Sequence, residues 1–417
     1  MRPMVPFTIE PLSEGFVRAL TRAVGRPLET RSLPLLVERV SRKYLGERES
    51  LAKADELAAR ALFFLPRDAH KVVGPLGELA RAGALPDRPL RVLDVGAGVG
   101  ASALGAVMAL ARLGRPIACV HAVDEDRDAL AVLERVWASA RDEGLLPECP
   151  PIVTRPGRAD APATLRDAAG AGWDVILVSN VLTEILREED RRESIARDEH
   201  ARAARIAELV EGIVREAPLS PDGALVLVEP ATREQARSLQ SARDPLAARG
   251  LTVFAPCTHD GPCPMLARER DWCHEDLDVD LPDWLRDVAR GAGLRYQGLT
   301  YGYLTVRRAP GRVGLSSAPA GWVSARLVSA VRDTKGKREA FLCAPDPAGA
   351  GTEPLDPLRA MQLDRAVKGA PEGAPRLSEC VRGELLALDP AVIPGPGEGR
   401  TARLALGDWT RDGDAGD

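Results

Sequence analysis

A chain of 417 residues with 45% hydrophobic side chains is long enough for roughly two or three domains, although 4% aromatics leave the packing to Leu, Val and Ala. With 61 acidic against 56 basic residues and a net charge of -5, the composition gives no support to indiscriminate nucleic-acid binding, which draws on a basic excess. No apolar run approaches the ~20 residues of a membrane helix, the N-terminal MRPMVPFTIEPLSEGF lacks a secretory h-region, and the odd cysteine count fits a reducing compartment, so no membrane partner and a cytoplasmic location are expected.

Residues 1–85 read as an N-terminal helical domain: LPLLVERVSRKYL and ADELAARALFFL carry apolar positions at three- and four-residue spacing. Strands then alternate with helices over 86–310. Arg91–Val95 is followed by a small-residue helix, Ala101–Leu113, and Ile117–Val123 by a helix over Arg127–Ala140. Asp174–Ser179 and Ala224–Glu229 are buried strands, and Leu251–Phe254 is a short one after the helix Arg233–Arg249. The charged stretch 187–216 between the two buried strands reads as a solvated helix face. Such alternation predicts an α/β, Rossmann-like domain with a parallel sheet and crossover helices, Tyr301–Val306 closing its edge. Residues 311–390 form short β-like runs, a small β-rich extension. From 301 to 340 eight Lys/Arg stand against Asp333 and Glu339, a basic patch suited to RNA. The Gly-, Pro- and Asp-rich tail 391–417 reads as disordered.

Two stretches carry chemistry. Asp94-Val95-Gly96-Ala97-Gly98-Val99-Gly100 fits D-x-G-x-G-x-G, where a strand turns sharply into a helix and bare backbone meets a polar ligand. A dinucleotide fingerprint also fits if Ala101 is the third small residue, so the loop alone does not separate S-adenosylmethionine from NAD. Asp124, in HAVDED at the end of the second strand, is placed for ribose hydroxyls in either case. The preceding helical domain and Asp94 at the head of the loop favour the methyl donor.

The second stretch is the loop 254–274, FAPCTHDGPCPMLARERDWCH, with Cys257, Cys263 and Cys273 in a polar, turn-rich setting. Thiols so placed are poor core residues and good soft-metal ligands. A fourth ligand is needed: Cys343 in AFLCAPD is the choice, with His259 and His274 as competitors that would favour zinc. Spacing does not decide between zinc and an iron–sulfur cluster. Cys119 reads as a core residue, while Cys149 and Cys380 have no evident partner.

Over residues 35 to 345 the chain resembles the Rsm-type, methyltransferase-like proteins of the small ribosomal subunit. The resemblance rests on VLDVGAGVGASALGA, VILVSNVLTEI, LVLVEPATREQARSLQSAR, APCTHDGPCPM, DWCH, YLTVRR and FLC. It implies a class I S-adenosylmethionine-dependent methyltransferase fold and a partner in the small ribosomal subunit and its rRNA. The role would be that of an rRNA methyltransferase or of a non-catalytic assembly factor. It also implies a 4Fe–4S cluster on Cys257, Cys263, Cys273 and Cys343, the last supplied by the β-rich extension. Gly96, Gly98 and Gly100 would then flank the cofactor with Asp94, Asp124 would hold the ribose, and Asp160 in GRAD would face the adenine. At the end of the fourth strand Asn180 and Glu184 are the polar candidates, and no catalytic residue is assigned. Ala231 in Glu229-Pro230-Ala231-Thr232 stands where glycine is expected.

Overall fold

The computed structural model describes residues 14–411, apart from 26–30, 48, 147–148, 162, 166–171, 194–197, 280, 347–354, 372 and 396–398. The first helices are α1 (Glu14–Val24) and α2 (Leu33–Tyr44). A long helical run follows: α3 (Lys53–Ala59), a π turn (Arg60–Phe64), α4 (Leu65–Asp68), a 3-10 turn (Ala69–Val72) and α5 (Val73–Arg81). In α1 the three/four spacing of Phe16, Ala19, Leu20 and Ala23 puts one apolar stripe inward, and all four are buried.

That stripe packs on α7 (Arg127–Asp142), and α2 packs on α12 (Asp283–Gly291). The helices of 14–81 therefore share one core with the face of the sheet that carries Val92, Val120 and Val226. The expected boundary at 85 separates no cores, so the N-terminal helices are a layer of the α/β unit and not a domain beside it.

Eight strands of the first sheet lie among the described residues: β1 (Leu90–Val95), β2 (Ile117–Asp124), β3 (Ile152–Pro156), β4 (Trp173–Ser179), β5 (Leu219–Pro230), β6 (Thr252–Ala255), β7 (Glu275–Leu277) and β8 (Leu299–Arg307). Their order is β3-β2-β1-β4-β5-β8-β6, with β7 also on β8. β1 to β5 run parallel. Alternation splits β1 cleanly, Leu90 and Val92 facing one core, Leu93 and Val95 the other. The second core is closed by α8 (Leu182–Glu193), α9 (Glu199–Glu216), α10 (Arg233–Ser241) and α11 (Arg243–Ala248). The stretch expected as a solvated helix face thus buries Ile206, Leu209, Val210 and Ile213 on one side.

The expected parallel sheet is mixed. β8 runs antiparallel between β5 and β6, so Tyr301–Val306 is an interior strand, not the edge. Its composition explains this: Tyr301 and Tyr303 fill one core while Leu304 and Val306 fill the other. A strand covered on both faces belongs inside a sheet.

The C-terminal part is a seven-stranded sheet: β9 (Val323–Leu327), β10 (Arg332–Thr334), β11 (Lys337–Cys343), β12 (Leu358–Leu363), β13 (Leu385–Leu388), β14 (Thr401–Arg403) and β15 (Trp409–Arg411). The tail expected to be disordered supplies β14 and β15, and buries Ala402, Leu404 and Trp409 in this sheet's own core. The Gly and Pro content of 391–417 marks turns between short strands; the residues after Arg411 lie outside the described ones.

Candidate active site and cysteine cluster

The strand order reverses between β1 and β4, and in such sheets ligands bind outside the carboxyl ends of the strands at that switch point. A cavity of about 880 Å³ opens there. β1 runs into it through Gly96, Gly98 and Gly100, whose φ values of 74°, 54° and 96° are left-handed. The turn is held from β2: Gly96 N and Ala97 N donate to Val123 O at 2.8 and 3.1 Å. Gly98 N donates to Asp124 Oδ2 at 2.7 Å, and Asp126 N donates to Asp124 Oδ1 at 2.8 Å. Each oxygen of Asp124 keeps a lone pair for a ligand hydroxyl.

The sequence-predicted cofactor residues divide. Gly96, Gly98, Asp124 and Asp160 line the cavity. Asp160 is gripped by Arg158 (2.8 and 2.6 Å), whose hydrogen bonds hold its carboxyl below the usual range. Gly100 and Asp94 are not in the lining. A Cβ on Gly100 would stand 2.1 Å from Leu133 Cδ1, so this glycine serves the packing of α7 on α6 (Ala101–Arg112). Asp94 is fully buried beneath the loop and accepts from Ser102 Oγ (2.7 Å) and Ala103 N (2.9 Å) at the start of α6. Burial outweighs those bonds and pushes its carboxyl up to about 7. Glu229, at the end of β5, does the same for α8: it accepts from Leu182 N (3.0 Å) and Thr183 N (3.2 Å), and burial pushes it to about 7. Charges at helix N-termini fix both entrances to the switch point.

The opposite wall was not foreseen. Lys53, Glu56, Arg60, Phe64, Arg67, Asp68 and Lys71, spaced by three and four, face the cavity from the long helical run. Arg60 lies directly over the glycine loop: a Cβ on Gly98 would come within 2.6 Å of its guanidinium. It reaches Asp126 at 3.4 Å and shares its surroundings with Tyr44, Glu184 and Asp124, whose charges raise its pKa against the opposing effect of burial. Tyr44 packs edge-on against Phe64, ring centroids 5.4 Å apart. Glu184 is open to the cavity's solvent yet hemmed in by protein, which raises its carboxyl while Arg60 opposes the shift. The signal in the sequence was the polar i, i+3/i+4 stripe of 53–71, hidden because apolar periodicity alone was read there.

Asn180, just past β4, has φ 59°, uncommon outside glycine. Its N–H donates to Val228 O at 2.7 Å, and its side-chain Oδ1 is buried with no hydrogen-bond partner.

The four predicted cysteine ligands come from three places. Cys257 follows β6, Cys263 precedes a 3-10 turn (Pro264–Leu266), Cys273 precedes β7, and Cys343 ends β11 of the second sheet. Cys263, Cys343 and Met265 are buried together with Cys273 packed against them. All four are free thiols. The pKa of Cys343 is raised by burial and then by Cys257, Cys263 and Cys273, so each lies within electrostatic reach of it.

Arg243 stands behind the group, donating to His259 O (3.0 Å) and Gly261 O (3.2 Å) and feeling Cys257, Cys263 and Cys343. Gln240 pins Cys273 by both backbone groups, at 3.1 and 3.2 Å. His259 Nε2 is 3.2 Å from Cys343 Sγ, whereas His274 Nδ1 is engaged by Arg382 at 3.2 Å. Among the described residues no group of three or more His, Cys, Asp or Glu side chains stands ready to hold a metal ion. Four thiolates on one zinc lie about 3.8 Å apart, given Zn–S of about 2.3 Å. The donor set is that of a sulfur-ligated centre, but its spacing does not close on a single ion.

The expected basic patch of 301–340 is not a free surface. Arg326 is 3% exposed and donates to Pro256 O and Gly383 O at 2.7 Å each and to Glu78 Oε1 at 2.5 Å. Arg312 pairs with Asp260, Lys337 with Glu339, and Arg338 with Asp333 and Asp364. Arg307 is buried over the Phe254 ring. Sequence reading counts charges, and here strand alternation turns most of them to internal acids and carbonyls. Among the described residues no helix is long and apolar enough to cross a membrane.

A family model described as mitochondrial small ribosomal subunit Rsm22 matches residues 58–349. No curated protein matches the chain. Solved structures similar to it include a SAM-dependent methyltransferase of Agrobacterium tumefaciens (18% identity, 57% of this chain and 62% of that chain, TM-score 0.33). Others are the trans-methyltransferase CalH in complex with SAH (14%, 70% and 72%, 0.36) and a ribosomal protein L11 methylase of Lactobacillus delbrueckii subsp. bulgaricus (17%, 57% and 80%, 0.29). Superpositions this loose carry no inference about chemistry.

Proposed function

The chain belongs to the Rsm22 family of the mitochondrial small ribosomal subunit, and from that premise we propose that it is an S-adenosylmethionine-binding methyltransferase acting on the RNA of the small ribosomal subunit. The observation that carries the reading is the cavity at the switch point, where bare glycine backbone and Asp124 face the stripe headed by Arg60. When bound, S-adenosylmethionine supplies an electrophilic methyl group on a sulfonium. The chain's own part is alignment and exclusion of water: Asp124 takes the ribose hydroxyls, Gly96 and Gly98 let the ligand lie against backbone, and Arg60 attracts a carboxylate. Asp160, clamped by Arg158, sits at the adenine side. Asp94 and Gly100 support the loop from beneath.

A 4Fe–4S cluster on Cys257, Cys263, Cys273 and Cys343 is part of the proposal. It is supported by four free, buried thiols converging from two sheets, and by the room a polynuclear centre needs beyond one zinc ion. Its role would be to clamp the second sheet to the first. The family's description places this function in a mitochondrial-type translation system rather than a generic cytoplasm.

A second reading, a non-catalytic assembly factor, is favoured by one feature: Ser179-Asn180-Val181-Leu182 offers no evident proton acceptor at the acceptor end. Calorimetric titration with S-adenosylmethionine and with NAD tests the site, and transfer of labelled methyl to small-subunit precursors tests the activity. Binding with transfer is expected. Binding without transfer selects the assembly factor; a response to NAD alone returns the site to an oxidoreductase with a zinc lobe.

A further inference from the structure

Along the polar stripe, every charged group but one has a partner. Lys53 pairs with Asp126, Glu56 with Lys43 at 2.7 Å, Arg60 with Asp126 at 3.4 Å, and Asp68 with Lys71 at 2.9 Å. Arg67 has no carboxylate within ion-pair distance among the described residues, and its Nε is buried with no hydrogen-bond partner. Its guanidinium lies 5.5 Å from the centroid of the Phe63 ring. The nearest other strong charges are Asp68, already held by Lys71, and Arg295, which repels it. A half-buried cation left without a counter-ion, next to a second cation, is a place where an anion is missing.

The position of Arg67 says whose anion. Arg60 and Arg67 are seven residues apart on one helical face, so about 10 Å along the axis. Arg60 lies over the β1 and β2 loops with Gly98, Asp124 and Asp126, the cofactor side. Arg67 lies toward Leu294, Leu299 and Thr300, which lead into β8 on the far side of β5. The same cavity holds a second unsatisfied atom, Asn180 Oδ1, at the end of β4. A cation lacking an anion and an acceptor lacking a donor suit one ligand class, a nucleotide, with phosphate for the first and a base N–H for the second.

We propose that Arg67 is the docking point for a backbone phosphate of the methyl acceptor, a single-stranded RNA segment whose base enters the cavity toward Asn180. This rests on the RNA-methyltransferase reading of the cavity.

The test uses the full chain and a fluorescein-labelled single-stranded oligoribonucleotide, titrated by anisotropy over a salt series, with SAH affinity and melting temperature measured on the same samples. For Arg67→Gln, RNA affinity is expected to fall about tenfold. The slope of log K against log salt is expected to shrink by about 0.7, the value for one phosphate contact on a single strand. SAH affinity should stay unchanged and the melting temperature should not drop, since no internal partner is lost. Arg67→Lys keeps the charge and loses the fork, so it should weaken RNA less and leave the slope as it is.

Wild-type RNA binding that neither variant alters overturns the proposal and leaves the methyltransferase reading standing. Loss of SAH affinity with RNA affinity intact also overturns it, by assigning Arg67 to the cofactor's carboxylate. A wild-type chain that binds SAH and no RNA removes the acceptor reading itself, and the proposal with it.

Discussion

Gly98 shows how one missing side chain can serve two masters. Its φ of 54° closes the turn, and its open face lets the Arg60 guanidinium rest on the backbone. Gly98→Ala would displace the far end of a flexible side chain, so the fold should survive with a modest loss in melting temperature while S-adenosylmethionine affinity falls about tenfold or more by calorimetry. Gly96→Ala would instead meet Val181 Cγ2 at 2.1 Å, a stiff β-branched neighbour at the start of α8. Its cost should appear mainly as lost stability in urea.

Asp94 and Glu229 share another residue-scale property. Burial raises both to about 7, above the 3.8 and 4.5 of an unfolded chain, so the folded state holds protons that the unfolded state has released. Their stabilising neutral forms are complete below about pH 4, and that contribution is lost as pH rises toward 7, by at most about 1.4 kcal/mol per pH unit for each group. Asp94→Asn should therefore flatten the fall of unfolding free energy between pH 5 and pH 7, measured by urea titration; an unchanged slope would clear Asp94 of that role. At this scale the sequence was legible where a motif is local. The glycines and Asp124 follow from one strand-turn-helix, whereas Arg60 and Tyr44 owe their place to a helix docked from elsewhere in the chain.

At the level of elements, the long helical run owes its use to its irregularity. The π turn Arg60–Phe64 falls where the run crosses the glycine loop, and such bulges gather at functional sites. Periodicity disclosed the helices here and α6, α7 and α9, because their apolar stripes repeat locally. It misplaced Tyr301–Val306, since an apolar run does not say which neighbours a strand takes, and it missed β14 and β15, where Gly and Pro composition outweighed the alternation around Ala402 and Leu404.

The cysteine loop is also an element-scale matter, since Cys343 arrives only because β11 pairs with β9, placing Cys343 opposite Arg326. Anaerobically purified protein should be brown with a broad visible absorption, and Cys343→Ser should bleach it and loosen the second sheet to proteolysis. A colourless wild-type chain with one equivalent of zinc would overturn the cluster.

Across the whole molecule, a single buried node joins its three parts. Glu78 of α5 receives Arg326 of the second sheet through Oε1 (2.5 Å) and Tyr303 of β8 through Oε2 (2.7 Å). Arg326 is 3% exposed and Glu78 7%, so neither charge has water to fall back on. Glu78→Ala would strand the guanidinium, and a loss of about 3–5 kcal/mol is expected in chemical denaturation. A loss below about 1 kcal/mol would mean that Pro256 O and Gly383 O hold Arg326 unaided. No local pattern could announce this node, because its members lie far apart in sequence and each alone reads as a surface charge.

The place of Cys343 also sets a timetable for the newborn chain. Three thiols leave the translating ribosome together, but the fourth comes only with β11, and that strand must first find β9. A cofactor gripped by all four can be loaded only onto a nearly finished polypeptide. Any product terminated before that point would keep the glycine loop and yet lack its inorganic clasp.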